Sequence, residues 1–314
     1  MKRINENTGI CHLRVAEGHA ASGTSGDPGP IKLSEFVRRA DLHPLSIEPC
    51  AFQVDEWMHW GCVYVDGQRT REDRWITPGQ IVRLHTRPKR YHWTHGPLRD
   101  RVVFANEEIL VLDKPAGLPT HPTLDNYLEN AKVQLEKELE QPVFVTHRLD
   151  VATQGLLILA KTRAAQTLIN KAFARNHVEK VYHAITSRPV PEGLYVHYIN
   201  PQGRVPREIS SSFHPGWWEC RLEVEESGKA GLAERYWQRI RLLTGKTHQI
   251  RAQFAALNAP VVGDALYGGR GADEAPGDST FVPLFLHLEC FRLTFLFRSE
   301  TLRVRRPQSF IDQI

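Results

Sequence analysis

Gly155-Leu156-Leu157-Ile158-Leu159-Ala160 is an unbroken apolar run, too short for a core helix and without alternation. Such a run reads as a strand buried on both faces, so the fold needs a sheet with cover on each side. Ile109 to Leu112 is a second apolar strand, leading into a Lys114-Pro115-Ala116-Gly117 turn. The stretches 179–187 and 234–243 read as further strands. Between the first two strands, from Asp125 to Leu139, Leu128, Ala131, Leu135 and Leu139 fall at helical spacing. Thr162 is positioned to cap a helix whose inner stripe is Ala165, Leu168, Ile169, Ala172 and Phe173. Thr247 is expected to cap another that carries Ile250, Phe254 and Leu257. Strands and helices mix without regular βαβ repetition. That predicts an α+β fold, with a mixed, mainly antiparallel sheet and flanking helices.

The 314 residues allow one large domain and a small accessory one. Residues 1–30 are expected to be a flexible N-terminal segment, because 16–30 are rich in Gly, Ala, Ser and Pro. Residues 31–90 form a compact segment. It has a short helix opened by Ser34, a hairpin at Asp66-Gly67, and a strand after the Pro78-Gly79 turn. This segment resembles an S4-like RNA-binding module; an accessory domain without RNA contact is the other reading. Residues 91–314 form the large domain, with a flexible loop expected at 268–279. Residues 83–101 carry six Lys or Arg against one acid, with Tyr91 and Trp93 interleaved. Cations alternating with flat rings suit phosphates and bases, although a solvated basic linker has the same composition. The C-terminal stretch 292–306 has five Arg and one Glu. It would point cations at an RNA backbone, or simply be a solvated strand face.

No run of about 18 apolar residues exists, so no membrane span is expected. The N-terminus lacks an apolar secretory leader, and five scattered cysteines form no disulfide framework, which favours a reducing compartment: the cytoplasm, or an organelle if the first 30 residues are a targeting leader.

The chemistry gathers around His147-Arg148-Leu149-Asp150. Alone, an aspartate beside an arginine in a loop is a surface ion pair or turn cap. Here it continues as RLDVATQGLLILAKT, and Lys180-Val181-Tyr182-His183-Ala184 follows. A block running from Thr244-Gly245-Lys246-Thr247-His248-Gln249-Ile250-Arg251 to Gly263-Asp264 and Tyr267-Gly268 comes next. Upstream stands Asp113-Lys114-Pro115-Ala116-Gly117-Leu118, and downstream Leu286-His287. In this order and spacing the motifs resemble those of the RluA-type RNA pseudouridine synthases. One departure is Lys246, where that family usually has arginine. A lysine cannot make the planar two-point contact of a guanidinium.

The resemblance implies an isomerase that detaches uracil from its ribose, turns it over and rejoins it through carbon, with no cofactor and no metal. It implies Asp150 as the catalytic carboxylate, Arg251 as the cation holding it ionised, and Tyr182 against the uracil ring with stacking and proton-transfer roles. Ile250 would close the other side of the base pocket. Arg148 would enter the RNA stack where the target base leaves it, and Lys246 would touch the RNA. Ribosomal, transfer and messenger RNA are all open as the partner, and the chain is expected to act as a monomer. Independent of the resemblance, Arg251 stands in the first turn of a helix, where the macrodipole disfavours a cation unless a carboxylate faces it. His287 and Cys290 are an isolated half-site that reads as a core pair rather than a zinc site. Two other classes remain: a catalytically silent RNA-binding or RNA-folding protein on the same fold, and a metal hydrolase drawing on the 15 histidines.

Overall fold

Gly155 to Ala160 are all buried and form one strand, as an unbroken apolar run requires. A computed structural model describes residues 2–16, 30–40, 42, 45, 51–91, 96–203, 205–231, 234–268 and 286–313. The expected flexible loop at 268–279 and the Trp93 of the basic stretch fall outside these residues, Gly268 excepted. The chain divides into two units: Met1–Tyr91 with His121–Val133, and His92–Thr120 with Gln134–Ile314.

The first unit holds β1 (Lys2–Asn5), β2 (Ile10–Arg14), β3 (Ile31–Lys32), α1 (Leu33–Arg38), α2 (Ala51–His59), β4 (Val63–Val65), β5 (Gln68–Thr70), β6 (Trp75–Ile76) and β7 (Ile81–His85). Five strands pair in the order β1-β2-β7-β4-β5, and β3 pairs with β6. The flexible segment expected over residues 1–30 does not hold at its start. Cys11, Leu13 and Val15 alternate with exposed His12 and Arg14, a period of two that buries one face of β2. Residues 17–29 lie outside the described residues. Ser34 is not the cap of α1; Lys32 precedes the helix, with no side-chain cap. Ser34 instead gives its N–H and its hydroxyl to the Asp73 carboxylate, both at 2.9 Å, so an acceptor from a later turn does the capping work.

The second unit holds β8 (Val102–Ala105), β9 (Ile109–Lys114), β10 (Phe144–Val145), β11 (Gln154–Ala160), α4 (Arg163–Ala174), β12 (Val178–Thr186), β13 (Gly193–Ile199), β14 (Ile209–Ser210), β15 (Trp218–Lys229), β16 (Tyr236–Leu242), α5 (Gln249–Ala256), β17 (Leu288–Phe297) and β18 (Glu300–Arg305). Helix α3 (Ala131–Leu139) crosses the division between units. It starts six residues later than the helical spacing from Asp125 predicts. The Asn126 side chain accepts from the Leu128 and Glu129 N–H groups, and Asn130 from that of Val133, so local turns replace the first helical turn. Thr162 caps α4 as its position predicts, accepting from Ala165 N–H at 3.1 Å.

The strands of the second unit form one sheet in the order β14-β13-β15-β16-β12-β17-β11-β9-β8, with β10 added on β11 and β18 on β17. Pairing is antiparallel except between β11 and β17, which run parallel at Gln154–Glu289 and Gly155–Cys290. Gly155 is what permits this approach. Its φ is +111°, and a Cβ there would stand 2.4 Å from the Cys290 carbonyl oxygen. The register lines up Lys114, Gly155, Cys290, Tyr182 and Ile240 as one cross-strand row. Cross-strand partners share a face. The neighbouring row of Gln154, Glu289 and His183 therefore faces the other way, where Glu289 meets Arg306, Ser309 and His183 in a buried polar network. Three of the five C-terminal arginines are ion-paired: Arg306, buried, with Asp113 and Glu289; Arg292, half-buried, with Glu179; and Arg298, at the surface, with Glu108. Arg303 and Arg305 of β18, with Arg298 in the turn before it, are the exposed cations of that stretch.

Candidate active site

Asp150 stands in the loop that enters β11, and side chains that imitate a strand ladder hold this loop. Beyond Val145, where β10 ends, the Thr146 hydroxyl donates to the Ile158 carbonyl at 2.6 Å, and His147 Nε2 accepts from the Ile158 N–H at 2.9 Å. That acceptor role requires a neutral ring. Burial, and secondarily the charge of Lys180, pushes the His147 pKa down to about 3. Next, Thr120 Oγ1 both accepts from the Leu149 N–H and donates to the Leu149 carbonyl. Past Asp150, the Val151 carbonyl accepts from the Gly117 N–H at 2.8 Å and from Lys114 Nζ at 3.4 Å. Lys114 is fully buried, with its other donors on the Pro115 and Leu118 carbonyls. Burial lowers its pKa to about 7, opposed by the charges of Asp150 and Asp113.

Arg251 reaches Asp150 from a segment a hundred residues away in sequence. Its Nη1 donates to Asp150 Oδ2 at 3.2 Å. The guanidinium is not devoted to Asp150, as the sequence expectation had it. Nε and Nη2 form a two-point fork on Asp264 at 2.7 and 2.8 Å. Asp264 is buried and also accepts from the Leu266 and Tyr267 N–H groups. Burial alone would lower the Arg251 pKa, but Asp264 and then Asp150 more than offset it, and the value rises. Two carboxylates around one permanent cation leave the cluster net negative. Asp150 keeps only one guanidinium contact, and its Oδ1 makes no hydrogen bond among the described residues. A carboxylate that is charged, oriented through one oxygen and free at the other is equipped for nucleophilic or general-base work.

The turn before α5 differs from expectation. His248, not Thr247, precedes the helix, in a left-handed conformation with φ 60° and no side-chain cap. A non-glycine residue held there is strained. The conformation carries the His248 ring to 3.8 Å from Asp150 Oδ2, with Nδ1 3.2 Å from the Tyr267 hydroxyl. Burial lowers the His248 pKa, while Asp150 opposes the shift. The Gln249 carboxamide oxygen does the organising, accepting from the Thr244 hydroxyl and the Lys246 N–H.

Tyr182 is buried and its hydroxyl pairs with the Cys290 thiol, the next residue along the row. Burial first, then Cys290 and Asp150, push its pKa well above the usual tyrosine value. It therefore keeps its proton and can present a ring face or donate a hydrogen bond. Ile250 is buried beside Arg251 in the first turn of α5. Arg148 is exposed and makes no hydrogen bond or ion pair among the described residues. Lys246 lies with Nζ 5.2 Å from the Trp218 ring centroid. His287 and Cys290 part company: His287 meets Phe310 edge-on, and Cys290 meets Tyr182. Among the described residues no three His, Cys, Asp or Glu side chains are grouped to hold a metal. No helix among them is long and apolar enough to cross a membrane.

The profile described as RNA pseudouridylate synthase matches residues 108–256. A "Ribosomal large subunit pseudouridine synthase D" of Xanthomonas campestris is 30% identical over 274 residues, which cover 82% of this chain and 77% of that protein. The chain belongs to the RNA pseudouridylate synthase family. The chloroplastic "RNA pseudouridine synthase 6" of Arabidopsis thaliana is 32% identical, over 63% of this chain. The chain spans about half the length of this relative and of its rice counterpart. Among solved structures, "Human RNA Pseudouridylate Synthase Domain Containing 1" superimposes with a TM-score of 0.50 at 25% identity, covering 66% of this chain and 82% of that one. "Human RNA Pseudouridylate Synthase Domain Containing 4" gives 0.53 at 20% identity, covering 68% and 91%, and so shares the fold. Within this family's fold, Asp264, His248 and Lys114 are contributors that motif reading left without a role. The Gly263-Asp264 pair was visible as a motif, but the fork it offers Arg251 was not.

Proposed function

We propose that this protein is an RNA pseudouridine synthase with Asp150, Tyr182 and Arg251 as its catalytic residues. The observation that carries the reading is the Arg251–Asp150 contact, held from behind by buried Asp264. Isomerisation breaks the bond between C1′ and N1 of a uridine and makes one between C1′ and C5. The C5 proton leaves to solvent, N1 regains one, and no redox change occurs. Detachment of uracil leaves an electron-poor sugar, and an ionised Asp150 with a free Oδ1 can bond to it or remove a proton from it. Tyr182, locked in its neutral form, serves as a ring wall and donor rather than as a base. Ile250 lines the opposite wall. Arg148, exposed and unpaired within the described residues, suits the space left in the RNA stack by the flipped uridine, and Lys246 suits a backbone phosphate.

The substrate we propose is ribosomal RNA, because several relatives are named for the large ribosomal subunit. The first unit would act as the S4-like docking module, with the chain working as a cytoplasmic monomer. Tritium release from transcripts labelled at uridine C5 tests the activity. Asp150→Asn is expected to release no label while binding RNA within about threefold of the parent, because the cation–phosphate contacts that dominate affinity are left in place. Full release by that variant would end the assignment. Release by neither protein, with RNA binding intact, would favour a silent RNA-binding protein.

A further inference from the structure

Trp218 is 39% exposed, at the start of β15. A part-exposed tryptophan offers a partner a flat apolar face with a polar edge, and tryptophan is enriched at interfaces for that reason. Its neighbours narrow the kind of partner. Lys246 holds its ammonium over the indole, and the loop carrying Lys246 is pinned to β15. The Arg221 N–H donates to Thr244 Oγ1 at 2.8 Å, and the Arg221 carbonyl accepts from the Leu243 and Thr244 N–H groups and from Gln249 Nε2. The pair is therefore pre-formed rather than assembled by a ligand. Two residues beyond Lys246, His248 stands 3.8 Å from the Asp150 carboxylate. The segments bearing Asp150 and Asp264 add exposed apolar side chains of their own, Val151 at 38% and Leu266 at 36%.

We infer that Trp218 and Lys246 form a stacking platform for one nucleobase of the RNA strand flanking the reacting uridine. The inference rests on the function proposed above and names a contact of that same substrate. A ring offers sequence-tolerant stacking, and a cation beside it takes the phosphate; the two together are how single strands are held. Lysine rather than arginine matters to this geometry. A guanidinium is flat and would stack on the indole as a base does, whereas an ammonium is a compact charge that leaves ring surface open. The platform also suits a strand whose target base has been flipped, because flipping unstacks its neighbours and leaves them in need of a new surface.

Decauridylate carrying a fluorophore is the probe, with fluorescence anisotropy as the readout and heparin as a polyanion without bases. For the full chain, Trp218→Ala is expected to weaken decauridylate binding about tenfold, the usual loss of one base–ring stack. Its dependence on salt and its heparin affinity should not change. Trp218→Phe keeps a ring and should lose less than about threefold. Lys246→Gln should flatten the salt dependence by about one phosphate contact and weaken heparin too. Parent-like decauridylate binding by Trp218→Ala overturns the platform, as does an equal loss toward heparin or a Trp218→Phe protein no better than Trp218→Ala. A thermal melt of Trp218→Phe close to the parent's keeps the comparison valid even where Trp218→Ala is unstable. Tritium release by the parent is scored separately. An active parent with an unaffected Trp218→Ala removes only the platform, whereas an inactive parent removes the functional reading itself.

Discussion

Substituting Gly155 by alanine should damage both the stability of the second unit and the site it supports. Two costs combine. The backbone at φ +111° lies outside the region that L side chains adopt, a strain of about 1–3 kcal/mol. The new Cβ would sit 2.4 Å from the Cys290 carbonyl oxygen and 2.6 Å from its nitrogen. Backbone cannot swing aside like a side-chain tip, so β11 and β17 must separate, at an overpacking cost of about 1–3 kcal/mol. The expected total, about 2–6 kcal/mol, is a large part of the 5–15 kcal/mol that stabilises an ordinary domain. For a unit of this size it corresponds to roughly 5–20 °C in melting temperature. Gly216 provides the control, since it has φ +80° but nothing within 4 Å of its would-be Cβ. Gly216→Ala carries the strain alone. Thermal unfolding and urea titration of both variants would isolate the contact with Cys290. Tritium release would show whether parting Gly155 from Cys290, midway between Lys114 and Tyr182 in the row, lowers turnover by the expected tenfold or more. If Gly155→Ala proves no less stable than Gly216→Ala, the close parallel pairing of β11 and β17 is wrong.

Asp264→Asn retains shape but removes the charge behind Arg251, and breaking one side of a buried pair costs about 3–5 kcal/mol. Released from its fork, Arg251 should shift on Asp150 and lower kcat about a hundredfold, with KM moving less than about threefold; an unchanged kcat would sink this positioning role. His147 should make the second unit acid-sensitive. Its folded pKa of about 3 lies below the ordinary histidine value of 6.5, so between those limits the unfolded chain binds the extra proton. Stability from this group is therefore present above about pH 6.5 and lost as pH falls toward 3, by up to about 5 kcal/mol. His147→Asn should flatten that slope in urea titrations from pH 7 to 4, and an unaltered slope would assign the acid sensitivity elsewhere.

The parts of this fold written in local pattern were legible, and the parts that depend on distant partners were not. Gly155–Ala160 announces a doubly covered strand by composition alone, and Thr162 announces a helix start because its acceptor lies three residues away. Ser34 and Thr247 carried the same signal and did not cap. Asp73 meets the first-turn N–H of α1 from 39 residues away, and the left-handed turn at His248 displaces Thr247. In the first 30 residues, the Cys11-Leu13-Val15 alternation was present but overshadowed by the Gly and Ser content that follows it. At the candidate site, motif order singled out Asp150, Tyr182 and Arg251, and the structure brings Arg251 onto Asp150. The macrodipole argument correctly asked for a carboxylate facing Arg251, yet nothing local says that it would face two. Asp264 enters 13 residues after Arg251 and only geometry reveals its fork. The pairing of Arg292 and of buried Arg306 was hidden for the same reason: charge is visible in a sequence, but its partner is not.

The place of β17 between β11 and β12 has a consequence for how the molecule is made. Glu289 reaches its neighbour Gln154 across 135 residues of sequence. During synthesis β11 and β12 must wait as open borders until this wedge emerges, and such long-range closure is slow. A ribosome-bound chain halted before Leu288 would display two unsatisfied strand margins, the hallmark of a nascent protein that needs shielding from its neighbours.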